Sequence, residues 1–222
     1  MQRSRERILT THVGSLARPH ALLEQLQRKI NDEPFDDAAL ARLTRQAVVD
    51  VVRQQAEAGV DIVSDGEQSK AGFYGYVAER LTGLTVADQP NIDDRSAWRA
   101  EIQAFPEYYA EYLGGKNRAT VRNRPLVCSG PIAYQGQAVL QSDLANLRTA
   151  LRDVDVSEAF VPSIAPRELG IDEFYGSAED FLSAIAEAMR AEYVAIVEAG
   201  FILQIDDPWL TGYYAGEPHP IR

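Results

Sequence analysis

Lysine and cysteine are scarce in this 222-residue sequence, and long apolar runs are missing. Only Lys29, Lys70 and Lys116 carry an ammonium side chain, and the formal net charge is −11. That balance argues against a nucleic-acid partner, because phosphate binding needs clustered basic residues. Cys128 is the single cysteine, which excludes an internal disulfide and any cysteine-based metal cluster. No segment approaches the roughly 18 consecutive apolar residues of a membrane span. The basic start, Met1 to Arg7, leads into Ile8-Leu9 and then Thr10-Thr11-His12 instead of the apolar core of a signal peptide. A cytoplasmic protein with no membrane partner is expected. There is no Gly-x-Gly-x-x-Gly after the first apolar run and no phosphate-binding loop, which weakens a nucleotide-binding reading.

What is present is a repeated unit. Glu57-Ala58-Gly59 leads into Val60-Asp61-Ile62-Val63-Ser64-Asp65, and Glu198-Ala199-Gly200 leads into Phe201-Ile202-Leu203-Gln204-Ile205-Asp206. Each glycine follows an amphipathic run and fits the left-handed residue that ends a helix. Leu40, Leu43, Ala47, Val48, Val51 and Val52 share one helical face, after Asp36 or Asp37 as the cap. Leu182, Ile185, Met189, Tyr193 and Ile196 form the matching face of a second helix, opened by Ser177-Ala178-Glu179-Asp180. Helical character is also expected over 19–30 and 142–151. Three further short runs, Ile8–Leu16, Pro125–Ile132 and Glu158–Ile164, read as buried strands because they are nearly continuous rather than alternating. Strands and helices alternating along one chain imply a parallel sheet with right-handed crossovers. The expected fold is therefore α/β: one domain over 1–222, the first five β/α units of a TIM (β/α)8 barrel.

An insertion at about 71–124 interrupts the rhythm. It carries Tyr74, Tyr76, Trp98, Phe105, Tyr108, Tyr109 and Tyr112. Such a segment packs over the strand ends, or its aromatics line a ligand mouth; packing is the expected role.

Ligands of parallel β/α folds bind where strands end. His12-Val13-Gly14-Ser15, Asp65-Gly66-Glu67, Ser129-Gly130-Pro131, Pro162-Ser163 and Asp206-Asp207-Pro208 stand at those ends. Carboxylates there suit gripping an amino group or proton transfer. Glu67 and Asp206 are read as functional, whereas Asp65 and Asp207 serve equally well as helix caps. His12 is the candidate catalytic base or orienting donor, set against a structural role. Cys128, inside an apolar run, is expected to be packing. Schiff-base chemistry is disfavoured because the strands contain no lysine.

These motifs resemble, in order, those of the cobalamin-independent methionine synthase catalytic domain. Thr10–Leu16 looks like its opening strand and turn, Gly59–Glu67 its second strand, Ser129-Gly130-Pro131 its third, and Ile205–Pro208 its fifth, where Glu is more usual than Asp207. The His12 variant is similar to the stand-alone, single-barrel branch, which includes relatives that alkylate other thiols. The resemblance implies a zinc-dependent S-methyltransferase that moves a methyl group from a donor to homocysteine or a related thiol. It implies that Ser15 and the Gly14 backbone hold the homocysteine carboxylate, and that Glu67 and Asp206 pair with its ammonium. Folate-using members carry an aromatic about where Gln137 stands, which leaves the methyl donor open. The family's zinc ligands, a His, two Cys and a Glu, lie on later strands. This chain offers His219 and no Cys after Cys128, so zinc is expected of the full-length family domain, with no metal ligands here. The chain alone is expected to be inactive and to self-associate through open barrel edges. The alternative is a non-catalytic half-barrel that binds a small amino acid or thiol.

Overall fold

The computed structural model describes residues 2–72, 75–86, 99–114, 126–167 and 169–207. Among them no helix is long and apolar enough to cross a membrane. Two long helices dominate, and the sequence sets both ends of each. Helix α1 (His20–Ile30) is followed by α2 (Asp37–Glu57), whose cap Asp36 accepts the Ala39 N–H at 3.0 Å. Gly59, at φ +79°, ends that helix and turns the chain into β1 (Ile62–Ser64). Next come α3 (Gly75–Arg80), β2 (Leu84–Val86), α4 (Arg99–Ala104), α5 (Pro106–Gly114), β3 (Leu126–Cys128), α6 (Gln137–Ala150), β4 (Glu158–Ile164) and β5 (Ile171–Asp172). Helix α7 (Ala178–Glu198) stops at Gly200, at φ +86°, before β6 (Ile202–Asp206).

The α7 cap is a single hydroxyl. Ser177 Oγ accepts the Asp180 N–H at 3.1 Å and donates to the Asp180 carboxylate at 2.7 Å. Because the second bond does nothing for an orphan amide, Ser177→Ala should cost about 1 kcal/mol. Urea unfolding would show this as a lower midpoint with an unchanged slope.

The main sheet is parallel and runs β1-β4-β6. Its centre is β4, where Ala159 to Ile164 are all buried, as a strand covered on both faces should be. Val48 and Val52 of α2, Leu140, Leu144 and Leu147 of α6, and Ile196 of α7 pack with Val63, Ala159 and Val161 into one core. A second core joins Tyr76, Val77 and Leu81 to Cys128, Ile164, Leu169, Phe181, Ile185 and Met189. Cys128 is thus a packing residue, fully buried and free of any disulfide.

Two expected strands behave differently. Ile8–Leu16 runs beside β1, where Thr10 O accepts from Asp61 N at 3.2 Å and Ile62 N at 3.0 Å, but it forms no strand. The Asp61 carboxylate takes the place of a ladder partner: it accepts from Thr10 N at 2.8 Å and Thr10 Oγ1 at 2.9 Å, and it pairs with Arg7. The Arg7 hydrogen bond and the Thr10 amide hold this carboxyl well below the usual range. Gly14 at φ +84° then turns the chain away, leaving Ile8 and Val13 mostly exposed.

The other correction concerns the third strand. β3 lies outside the main sheet, antiparallel to β2 and parallel to β5, so β1 pairs directly with β4. The reason is close backbone approach. A Cβ on Gly170, which sits at φ +90°, would meet Leu126 O at 2.0 Å, so only glycine lets β5 reach β3. Both edges of β3 are then occupied, and the main sheet of the described residues holds three strands where five were expected.

In the insertion, Tyr76 and Tyr109 are buried while Phe105 and Tyr108 are exposed. Tyr74, Trp98 and the Tyr112 side chain lie outside the described residues.

Candidate functional site

The loop after β1 carries the most constrained backbone of the site. Gly66 and Glu67 both have positive φ, +61° and +57°. For glutamate this is an uncommon conformation, which persists only where the surroundings fix it. Here the Glu67 N–H donates to Asp65 Oδ1 at 2.9 Å, and Gly66 N–H donates to Ser64 Oγ at 3.0 Å. The buried Arg18 guanidinium clamps the loop by donating to Glu67 O and Lys70 O, each at 2.7 Å. Burial lowers the Arg18 pKa from its ordinary value, against the opposing pull of Glu67 and Asp65. The arrangement leaves the Glu67 side chain 5% exposed with its carboxylate beside Ser15, whose hydroxyl donates to Oε2 at 3.1 Å. Leu16 N donates to Gly66 O at 3.1 Å, tying the Gly14-Ser15 turn to the same loop.

From the other end of the sheet comes Asp206, the last residue of β6. Its backbone carbonyl accepts from Ala165 N at 2.9 Å, and its Oδ1 accepts from Gln204 Nε2 at 2.7 Å. Glu67 and Asp206 line one narrow cleft, too tight in this structure to admit a water molecule, together with Lys70, Tyr76, Pro162, Ser163 and Ile164. Lys70 donates to Pro162 O, and its Nζ lies 4.6 Å from the centre of the Tyr76 ring. The expectation that no lysine stands at a strand end holds for the strands themselves. The loop after β1 nonetheless delivers Lys70 to the end of β4.

Beneath the cleft is a buried ion network. Arg80 donates to Asp143 at 2.5 Å and to Glu192 at 2.8 Å, and all three are nearly inaccessible. Glu192 also accepts from Tyr134 and Ser163, each at 2.8 Å. Burial raises Asp143, more than Arg80 lowers it. For Glu192 burial also acts upward, but the Arg80 charge and hydrogen bond outweigh it, and the pKa falls. Burial pushes the Tyr76 phenol well up, so it stays protonated, with its oxygen accepting from Ile164 N at 2.7 Å. This network fixes the floor that carries Ser163 and Tyr76.

His12 sits elsewhere. Its Nε2 lies 3.0 Å from Gln55 Oε1 and 3.2 Å from Ser64 Oγ, and its ring packs against Phe160. Gln55 Nε2 donates to Val51 O and Ser64 O, so Oε1 is the acceptor and His12 Nε2 carries the proton. His12 braces β1 against α2 and does not line the cleft. Asp65 serves as a turn acceptor for the Glu67 amide.

The resemblance implies zinc, which takes about four ligands from His, Cys, Asp or Glu. Among the described residues no three His, Cys, Asp or Glu side chains converge on a metal position. Cys128 donates to Gly130 O, inside the second core. These described residues do not fit a zinc site.

Sequence spacing did not reveal Lys70, Arg18 or the Arg80 network. The nearest signal was the run Asp65-Gly66-Glu67-Gln68-Ser69-Lys70, with an unusual concentration of polar residues directly after a strand.

Comparisons with known proteins bear on the family likeness and the fold. The family model described as the cobalamin-independent synthase catalytic domain matches residues 8–105. The methionine synthase of Sulfolobus acidocaldarius is 25% identical over 205 residues, covering 90% of this chain and 51% of that protein. That of Sulfurisphaera tokodaii is 26% identical over 210 residues, with the same coverage. This chain therefore spans about half the length of the curated relatives it matches. A B12-independent methionine synthase from a Shewanella species, solved in complex with selenomethionine, superimposes with a TM-score of 0.65 at 22% identity over 90% of this chain and 51% of that one. A putative vitamin-B12-independent methionine synthase from Listeria monocytogenes gives 0.58 at 19% identity over 98% and 57%. At those identities the structural likeness speaks for an α/β fold of that type. Residues 8–105 match the catalytic-domain model of the cobalamin-independent synthases, and the chain is similar to methionine synthases of that kind across nine-tenths of its length.

Proposed function

We propose that this chain is the amino-acid-binding part of a methyltransferase that acts on homocysteine or a related thiol. One observation carries the reading: Glu67 and Asp206, from opposite ends of the main sheet, line the same cleft. Two carboxylates around one position suit a cation, and the ammonium group of an amino acid is such a cation. Ser15 orients Glu67 by donating its hydroxyl proton to it. The Gly14-Ser15 turn, with Gly14 at φ +84°, suits the ligand's carboxylate through its amides. The relatives' names supply the substrate class, and the three parallel strands are read as an arc of the barrel expected from the sequence. The methyl donor and any metal chemistry are left to the parts of the relatives that this chain does not span.

Calorimetric titration of the chain with L-homocysteine and L-methionine tests the reading. Saturable binding of both is expected, with much weaker binding of 4-methylthiobutyrate, which lacks the ammonium. Equal affinity for the thioether acid and the amino acid would refute it.

Self-association belongs to the same reading. Among the described residues β6 pairs only with β4, and Ile205 of β6 and Val194 and Val197 of α7 are 44–56% exposed. A strand edge beside apolar surface templates pairing with another chain. Light scattering after size exclusion should give a mass above 24.6 kDa, moving toward the monomer in Val197→Glu. A strictly monomeric parent protein would count against the open-edge arrangement.

A further inference from the structure

Among the described residues Lys70 is the one cation that lines the cleft, and neither of the cleft's carboxylates forms an ion pair with it. It is 4% exposed, and its hydrogen bond goes to a carbonyl, Pro162 O. The Tyr76 ring covers a second side at 4.6 Å, and Arg80 lies 4.9 Å from the same ring. An ammonium has three donors. Leaving a buried one short of partners is costly unless something else completes it. Behind Lys70 stand Asp143 and Glu192, which feel its charge but form their ion pairs with Arg80. In front, Glu67 and Asp206 line the cleft, with Glu67 receiving Ser15 and Asp206 receiving Gln204. By contrast Lys29, on α1, spends its charge on Glu79 at 2.6 Å.

We propose that Lys70 is a specificity-determining residue that receives the carboxylate of the ligand whose ammonium lies against Glu67 and Asp206. This rests on the amino-acid-binding reading above and adds a charge to it. The Gly14-Ser15 amides are neutral donors, whereas a carboxylate offers two oxygens with about four lone-pair sites and can be shared between them and Lys70. Held by Pro162 O and the Tyr76 face, the ammonium is oriented before the ligand arrives, so little side-chain entropy is lost on binding. The cleft then carries two negative charges and one positive, a pattern that selects a zwitterion over a simple amine or a simple acid.

The experiment uses three ligands that differ only in charged groups: L-methionine, 4-methylthiobutyrate without the ammonium, and 3-(methylthio)propylamine without the carboxylate. Lys70→Met keeps the aliphatic stem and should weaken both carboxylates by about tenfold or more, the range of a charge-assisted hydrogen bond. The amine should bind Lys70→Met no worse than the parent, and Lys70→Arg should restore part of the loss. A second readout needs no variant. With only three lysines in the chain, the Lys70 side-chain NMR signals are readily assigned, and they should move with the two carboxylates and not with the amine. Equal weakening of all three ligands, or a Lys70 signal indifferent to methionine, would overturn the proposal. If the amine and methionine bind and respond to Asp206→Asn while Lys70 stays silent, this inference fails and the amino-acid reading stands. If none of the three binds the parent protein, both fail.

Discussion

Replacing Arg80 by Met should destabilise the protein by about 3–5 kcal/mol at neutral pH, the cost of stranding buried charge. Arg80 is the only cation within hydrogen-bonding reach of Asp143 and Glu192 among the described residues, and both carboxylates are buried with it. Methionine keeps most of the aliphatic stem but gives up the charge, including its contact with the Tyr76 ring, so the loss is mainly electrostatic rather than a cavity. Many domains have only about 5–15 kcal/mol in total, and partial unfolding at room temperature is within range. The sign with pH separates this cause from poor packing. In the parent protein Glu192 titrates below its ordinary value, because Arg80 outweighs burial. Its contribution is therefore present above the unfolded pKa of about 4.3 and is lost as pH falls through the lower, folded one. In Arg80→Met, burial loses its strongest opponent at both carboxylates, the Lys70 charge and a serine hydroxyl remaining at each, and their folded pKa values rise. Stability is then restored as pH falls toward the unfolded values and the buried groups become neutral. Denaturant midpoints from pH 8 to pH 4.5 should show the gap between variant and parent closing. A constant gap would point to packing. Combining Arg80→Met with Asp143→Asn and Glu192→Gln should recover most of the loss, since a neutral cluster leaves no unpaired charge.

The legible parts of the fold were those written in local chemistry. Gly59 and Gly200 end helices with positive φ as their position after an amphipathic run implies, and Asp36 and Ser177 cap the helices they precede. Glu158–Ile164 is a strand with the bounds its apolar run suggests. Ile8–Leu16 forms no strand because Ile8 and Val13 face water and the Thr10 amide, which a ladder would use, is taken by the Asp61 side chain. β3 was misplaced for a different reason. Its apolar run is real, but Gly83 and Gly170 bring β2 and β5 against its two edges, and nothing local says which sheet a short strand will join. The site divides in the same way. Asp206 stands out because it directly follows an apolar run, and Glu67 because it lies in the polar turn just beyond one. Lys70, Arg18 and Arg80 take their meaning from partners far away in sequence, Pro162, Glu67 and Glu192 among them. A single sequence does not encode those pairings as a pattern.

Asp206→Asn should raise the dissociation constant for L-homocysteine and L-methionine about tenfold to hundredfold. Asparagine keeps the volume and the carbonyl oxygen that accepts from Gln204 Nε2, so the local hydrogen bond survives and only the charge is removed. Losing a hydrogen bond to a charged group costs about 1.5–3 kcal/mol of binding, which is the affinity change just given. The melting temperature should hardly move, because the side chain is only partly buried and the backbone bond from Ala165 does not depend on it. If Asp206 instead served to stabilise the chain that follows β6, the pattern would invert: melting temperature would fall and amino-acid affinity would stay. The ligand series sharpens the test. 4-Methylthiobutyrate has no ammonium for Asp206 to meet, so the substitution should leave its binding nearly unchanged, and 3-(methylthio)propylamine should lose as much as methionine does. Glu67→Gln is the partner experiment, and it adds a loss of the Ser15 orientation, since the amide can turn its nitrogen toward the hydroxyl. Two carboxylates that grip one ammonium depend on each other, so the double variant should fall short of the summed single losses. Full additivity would mean that Glu67 and Asp206 act on separate groups of the ligand, and the shared-cation site would have to be abandoned.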